Sequence, residues 1–175
     1  MELTQEKKGK IGETAVMLEL LKKGFNVINI NNSYPNYKNA DLICMNANNG
    51  KSVMIQVKTG TTHNILTGFT SELDGTIQKL EESIIGPWVF VYMPDDKMSN
   101  MEFYILTREE VIELIYSSNK WYATEYYRKL KKKYPVGVYV DWLEGGSSKA
   151  TKLHPEYKST LHQTSKDNWW KITEL

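Results

Sequence analysis

Cysteine occurs once in the 175 residues, at Cys44, so no disulfide can form within the chain and its stability has to come from apolar packing. A lone thiol suits a reducing compartment, and a cytoplasmic location is expected. No apolar run approaches the roughly 18 residues of a membrane span, and the opening stretch MELTQEKKGK lacks an apolar signal segment. Net charge is scarce as well: 22 basic against 21 acidic side chains leave a formal +1, so any affinity for nucleic acid must come from a local patch. The three histidines, His63, His154 and His162, are scattered through polar stretches and offer no zinc spacing. No G-x-S-x-G elbow, P-loop or dinucleotide glycine pattern is present, which leaves serine hydrolase, nucleotidase and dehydrogenase readings without a starting point. No internal repeat or second domain is visible.

What the sequence has instead is one organising stretch, Asn39 to Gly60, NADLICMNANNGKSVMIQVKTG. Two apolar runs, Leu42 to Met45 and Val53 to Val57, flank Asn49-Gly50, the dipeptide that most readily takes the positive φ angles of a tight hairpin turn. With Asn49 and Gly50 as the central turn residues, Asp41 falls opposite Lys58 and Ile43 opposite Gln56. Alternation then puts Asp41, Ile43, Met45, Met54, Gln56 and Lys58 on one face, and Leu42, Cys44, Val53, Ile55 and Val57 on the other. Both faces are mostly apolar, as in a hairpin held between layers. Asp41, Gln56 and Lys58 nevertheless gather at its open end, where an unpaired charge would be costly. Cys44 reads as plain core.

The rest of the chain builds around that hairpin. From Thr4 to Lys23, Ile11, Ala15, Leu18 and Leu21 recur at helical spacing, Gly24 serves as a C-terminal cap, and Glu13 borders the apolar stripe. Phe25 to Ile30 has strand composition, and Asn31 to Asn39 is a polar loop leading to Asp41. After Lys58, TGTTHNILTGFTSELDG reads as a Thr- and Gly-rich surface loop. Leu73, Ile77, Leu80 and Ile84 predict a second amphipathic helix over Thr70 to Ile85, stopped by Gly86-Pro87. Trp88 to Met93 and Glu102 to Leu106 read as paired strands, and Thr107 with Glu110 forms a capping box opening a helix that carries Val111, Leu114 and Ile115. The order α, β, β, β, α, β, β, α predicts an α/β fold with a mixed central β-sheet of about five strands flanked by helices.

Asn119 to Tyr134, NKWYATEYYRKLKKKY, holds the densest positive charge: Arg128, Lys129, Lys131, Lys132 and Lys133, interleaved with aromatic rings. Rings that stack on bases and cations that neutralise phosphates suit a nucleic-acid face. The same pattern also fits a helix whose aromatic stripe packs on the core while its lysines are solvated. Val136 to Val140 predicts a late strand, and Trp169-Trp170 predicts a tail that docks back. One domain spanning 1–175 is expected, with a core over about 8–115 and an aromatic, basic extension over about 116–175.

Asp41, a turn, and then Gln56-Val57-Lys58 on an apolar hairpin resemble the PD-(D/E)XK nuclease superfamily of restriction enzymes, Holliday-junction resolvases and repair nucleases. GKIGETAVMLELLKKGFNVI similarly resembles the first helix of its resolvase-like members, with Glu13 as the acidic residue that reaches the site. The resemblance runs from Lys8 to Ile115 and implies a restriction-endonuclease-like core. It further implies Mg²⁺-dependent (or Mn²⁺-dependent) hydrolysis of DNA phosphodiesters. In that reading Glu13, Asp41, the Gln56 side-chain oxygen and the Val57 backbone carbonyl hold the ion, and Lys58 orients or helps deprotonate the attacking water. The superfamily's general pattern has an acidic residue where this chain has Gln56, although Mrr-like members carry a Gln-x-Lys form. An amide oxygen is a weaker ligand for a hard cation than a carboxylate. The same residues therefore also suit a second function, a nuclease fold that binds nucleic acid without cutting it. DNA is the expected partner in both readings, no membrane is, and a homodimer is compatible with the resemblance because related nucleases often cut two strands with two copies.

Overall fold

The computed structural model describes residues 3–34, 37–94, 98–126, 132–145, 154 and 156–173. Helix α1 (Gln5–Lys22) begins at Thr4, whose hydroxyl accepts from the Lys7 N–H at 3.3 Å. It ends where Gly24, at φ +86°, takes the left-handed conformation open to a residue without Cβ. Strands β1 (Phe25–Asn29), β2 (Leu42–Asn46), β3 (Ser52–Gly60), β5 (Trp88–Tyr92) and β6 (Glu102–Leu106) form one sheet in the order β1-β2-β3-β5-β6. The sheet is mixed, as expected: β3 and β5 run parallel, and the other neighbours are antiparallel. The connection between the parallel pair carries β4 (Asn64–Ser71) and the short helix α2 (Leu80–Ser83).

Helices cover the two faces. On one, Val16 and Leu20 of α1 pack over Leu42, Cys44, Ile55, Val57, Val89 and Ile105, joined by Trp169 and Ile172 of the tail. The other face, with Trp88, Phe90, Tyr104 and Leu106, lies against Val111, Leu114 and Ile115 of α3 (Arg108–Trp121). The Thr107–Glu110 capping box that opens α3 is formed in both directions. The predicted docking of the tail is observed in Trp169, which sits 5.5 Å from the Phe103 ring, whereas Trp170 faces solvent.

Three expectations are corrected. The stretch after Lys58 is not simply a loop: β4 pairs antiparallel with β7 (Tyr134–Tyr139) in a two-stranded ribbon that closes over the α3 side of the core. Its strand character was masked by threonine, because buried Thr67 donates to the Val136 carbonyl at 2.9 Å and serves as an inward residue. The amphipathic helix over Thr70 to Ile85 shrinks to Leu80–Ser83. The Asp74 carboxylate turns the chain by accepting from Thr76 N–H at 3.0 Å, and Lys79 adopts φ +55°, so no long helix can pass.

The third correction is the hairpin register. Asn49-Gly50 is not a two-residue turn, since Asn46 N–H bonds to the Lys51 carbonyl at 2.9 Å and only Gly50 of the two has positive φ. Asn46 Oδ1 accepts from Asn48 N–H and Asn49 Oδ1 from Lys51 N–H, which stabilises a longer loop. The register moves by two residues, with Leu42 opposite Ile55 and Ile43 opposite Met54, which puts Asp41 beside Gln56 rather than Lys58. A shift by two keeps every side chain on its expected face. That face is also less covered than the apolar pattern implied: Ile28, Met45 and Met54 are 58%, 38% and 38% exposed on the outer half of the sheet.

Candidate active site

At the end of the hairpin away from its turn, α1, the β1–β2 connection and β3 converge. Asp41, buried just before β2, accepts on Oδ2 from the Val57 N–H at 2.7 Å and from the Gln56 side-chain amide. Its Oδ1 accepts from Asn31 Nδ2 at 3.1 Å. Glu13, on the face of α1 that meets the start of the β1–β2 connection, accepts on Oε2 from Asn29 Nδ2 at 2.9 Å and on Oε1 from Asn31 Nδ2 at 3.4 Å. A sequence separation of 28 positions between the two carboxylates is thus bridged by one asparagine amide. Burial and the nearby negative charge of Asp41 raise the Glu13 pKa, while the amide donors of Asn29 and Asn31 oppose the rise.

Lys58 follows on β3 on the same face as Gln56. Burial lowers its pKa, and the negative charges of Asp41 and Glu13 pull it back up, so the ammonium and the carboxylates sense one another. Its Nζ stands 5.2 Å from the centre of the Trp88 ring, within cation–π range. Trp88 is stacked in turn on Phe69 of β4 at 6.0 Å. The ribbon passes close by at Gly68, in the irregular stretch between Leu66 and Thr70. Gly68 has φ +89°, and a Cβ there would lie 3.7 Å from Lys58 Nζ, so backbone rather than a side chain borders the ammonium.

All four candidate side chains, Glu13, Asp41, Gln56 and Lys58, therefore gather in one place, and Val57 joins through its backbone. Asn29, Asn31, Trp88 and Gly68 were not singled out by sequence. Asn29 fell within the predicted strand Phe25 to Ile30, Asn31 in the polar loop leading to Asp41, and Trp88 in a predicted strand. The oxygen-only donor set fits a hard cation of the Mg²⁺ or Mn²⁺ kind, which takes one or two carboxylates and keeps several waters. Among the described residues no group of three or more His, Cys, Asp and Glu is placed to hold a metal; at this site the described donors are the two carboxylates and the Gln56 amide.

The proposed nucleic-acid run is only partly described: Arg128, Lys129 and Lys131 lie outside the described residues. Lys132 and Lys133 are exposed just before β7, and Lys133 Nζ pairs with Glu72 at 2.6 Å. The aromatic residues ahead of them turn inward in part. Trp121 lies 5.3 Å from Tyr157 and 6.5 Å from Trp142 and packs, partly buried, against the core, while Tyr126 is half exposed.

No protein-family model matches the chain, and no curated protein matches it by sequence. Among solved structures the chain is similar to a bacterial homing endonuclease, I-Ssp6803I, at 18% identity over 63% of this chain and 74% of that one, with a TM-score of 0.46. A likeness at that level assigns neither residue roles nor activity. Among the described residues no helix is long and apolar enough to cross a membrane.

Proposed function

We propose that the protein is a metal-dependent DNA endonuclease of PD-(D/E)XK type. The observation that carries this reading is the convergence of Glu13, Asp41, Gln56 and Lys58 at one end of the hairpin, with the two carboxylates joined through Asn31. Glu13, Asp41, the Gln56 oxygen and the Val57 carbonyl would hold a Mg²⁺ or Mn²⁺ ion. When bound, such an ion polarises a phosphodiester and lowers the pKa of a coordinated water. As an ammonium, Lys58 would offset charge developing on the phosphate; as the neutral amine, the form that burial favours, it would instead take a proton from the water. The Trp88 ring lies against its amine, and Gly68, which carries no side chain, borders it on the ribbon side.

One observation favours a second reading, a nucleic-acid-binding module. The Gln56 amide already satisfies Asp41 Oδ2, so this carboxylate is stabilised without a cation. The test is cleavage of duplex, single-stranded and branched DNA with Mg²⁺ and Mn²⁺ by the wild type, Asp41→Asn and Lys58→Ala. The enzyme reading expects metal-dependent cutting by the wild type and a loss of at least about 100-fold in each variant, with folding intact by circular dichroism. A wild type that binds DNA but cuts none of the three substrates would leave the module.

A further inference from the structure

We propose that Asn31 is a positioning residue for the carboxylate pair: its single amide group holds Glu13 Oε1 and Asp41 Oδ1 side by side and so sets in place the two oxygens a divalent cation would take. This inference rests on the metal-site reading above.

The hydrogen-bonding capacity of each oxygen leads to it. A carboxylate oxygen offers about two acceptor directions. Asp41 Oδ2 has both in use, toward Val57 N–H and the Gln56 amide, whereas Oδ1 accepts from Asn31 alone. On Glu13, Oε2 faces Asn29 and Oε1 faces Asn31. The Asp41 oxygen with capacity to spare thus meets Glu13 at the Asn31 amide, whose two N–H bonds can serve one carboxylate each. The nitrogen has to be the atom that faces them, because the amide oxygen there would oppose two anionic groups.

The backbone fixes where this amide sits. Asn31 lies in a 3₁₀ turn, Ile30–Asn32, that is tied to Asp41 directly: Ile30 N–H donates to the Asp41 carbonyl at 2.8 Å, and Asn31 N–H donates to Asn29 Oδ1 at 2.9 Å. The residue that bridges the carboxylates is therefore held by the segment that carries one of them. Its chemistry matters too. A lysine or arginine in this place would bind both carboxylates, but its charge would repel a dication, whereas an amide orders them at no cost in charge.

Outer partners of metal ligands usually account for 10- to 100-fold in metal affinity. The experiment is calorimetric titration of the full chain with Mn²⁺ and with Mg²⁺, in the wild type, Asn31→Ala and Asn31→Ser, at a temperature where each is folded by circular dichroism. Serine suits the turn but has one donor, so it cannot serve both carboxylates. Both variants are expected to fold and to bind the ion about 10- to 100-fold more weakly, a change that a merely structural role in the turn would not produce. Folded variants with the wild-type dissociation constant overturn the inference while leaving the metal site standing. A wild type that binds neither ion removes the metal-site reading and this inference with it. Failure of both variants to fold would make Asn31 a residue of the fold and would also overturn the proposal.

Discussion

The Gln56 side-chain amide donates to the same Asp41 oxygen that accepts the Val57 N–H. Gln56 is therefore a hydrogen-bond donor to the neighbouring carboxylate, and both residues are buried. Exchanging that donor for a carboxylate replaces an attraction with a repulsion between close anions. Gln56→Glu is expected to destabilise the ion-free protein by roughly 1–3 kcal/mol, the usual scale for spoiling a buried hydrogen bond. It is also expected to bind Mn²⁺ more tightly than the wild type. Thermal unfolding with and without Mn²⁺ checks both: the melting temperature should fall without the ion and recover with it. An unchanged melting temperature would mean that the Gln56–Asp41 contact contributes nothing to the ion-free fold.

Helix α1 brings Glu13 to the site by approaching β3 closely at the preceding residue. Gly12 is buried, and a Cβ there would collide with Thr59, meeting its Oγ1, Cβ and Cγ2. Gly12→Ala has to push the helix or the strand. Overpacking of this kind costs about 1–3 kcal/mol, against which the better helix propensity of alanine returns at most about 1 kcal/mol. A melting temperature lower by several degrees is expected, with weaker Mn²⁺ binding because Glu13 moves with the helix. A variant as stable as the wild type would show that Thr59 turns aside and that the close approach is not what seats Glu13.

Much of this arrangement was legible in the sequence because it rests on periodicity. The apolar runs around Asn49-Gly50 gave the hairpin, and the faces survived the register error because the slip was an even number of residues. The register itself depended on Asn46 and Asn49 bonding to nearby backbone, a choice of turn that several asparagines in a row leave open. Strand β4 was hidden because its inward Thr67 is satisfied by a partner far along the chain, at Val136. Asn29 and Asn31 were hidden for a related reason. A residue typical of loops is recognisable as a carboxylate partner only once the fold brings Glu13 and Asp41 to it.

Cys44 gives a pH dependence of stability. Burial raises its thiol from an ordinary 9.0 to about 11, so the folded state keeps the proton after the unfolded chain has begun to lose it. Stability on this account is full below pH 9 and declines as pH rises toward 11, by roughly 2 kcal/mol over the window at 1.36 kcal/mol per pKa unit. Buried Tyr104 and Tyr157 and partly buried Tyr134, whose pKa values are also raised, add to the decline at its alkaline end. Denaturant unfolding from pH 8 to 11 should show a shallower loss in Cys44→Val than in the wild type, with the difference starting near pH 9. Parallel curves would exclude the thiol as a contributor.

Lys132 and Lys133 precede β7, the strand whose partner β4 carries Gly68 past Lys58. Lys132 and Lys133 thus lead into the same ribbon that borders the candidate site. If both lysines contact phosphates, each releases counterions from duplex DNA and adds about 0.9 to the slope of log affinity against log salt. Their joint replacement by alanine should flatten that slope by up to roughly 1.8. Glu72, paired with Lys133 at 2.6 Å, competes with the phosphate for this cation, so Glu72→Gln should strengthen DNA binding at low salt and lose the advantage as salt rises. Fluorescence anisotropy with a labelled duplex at several salt concentrations measures both effects. An unchanged slope in the double alanine variant would make the pair a solvated face, and an unchanged affinity in Glu72→Gln would place Lys133 away from the DNA.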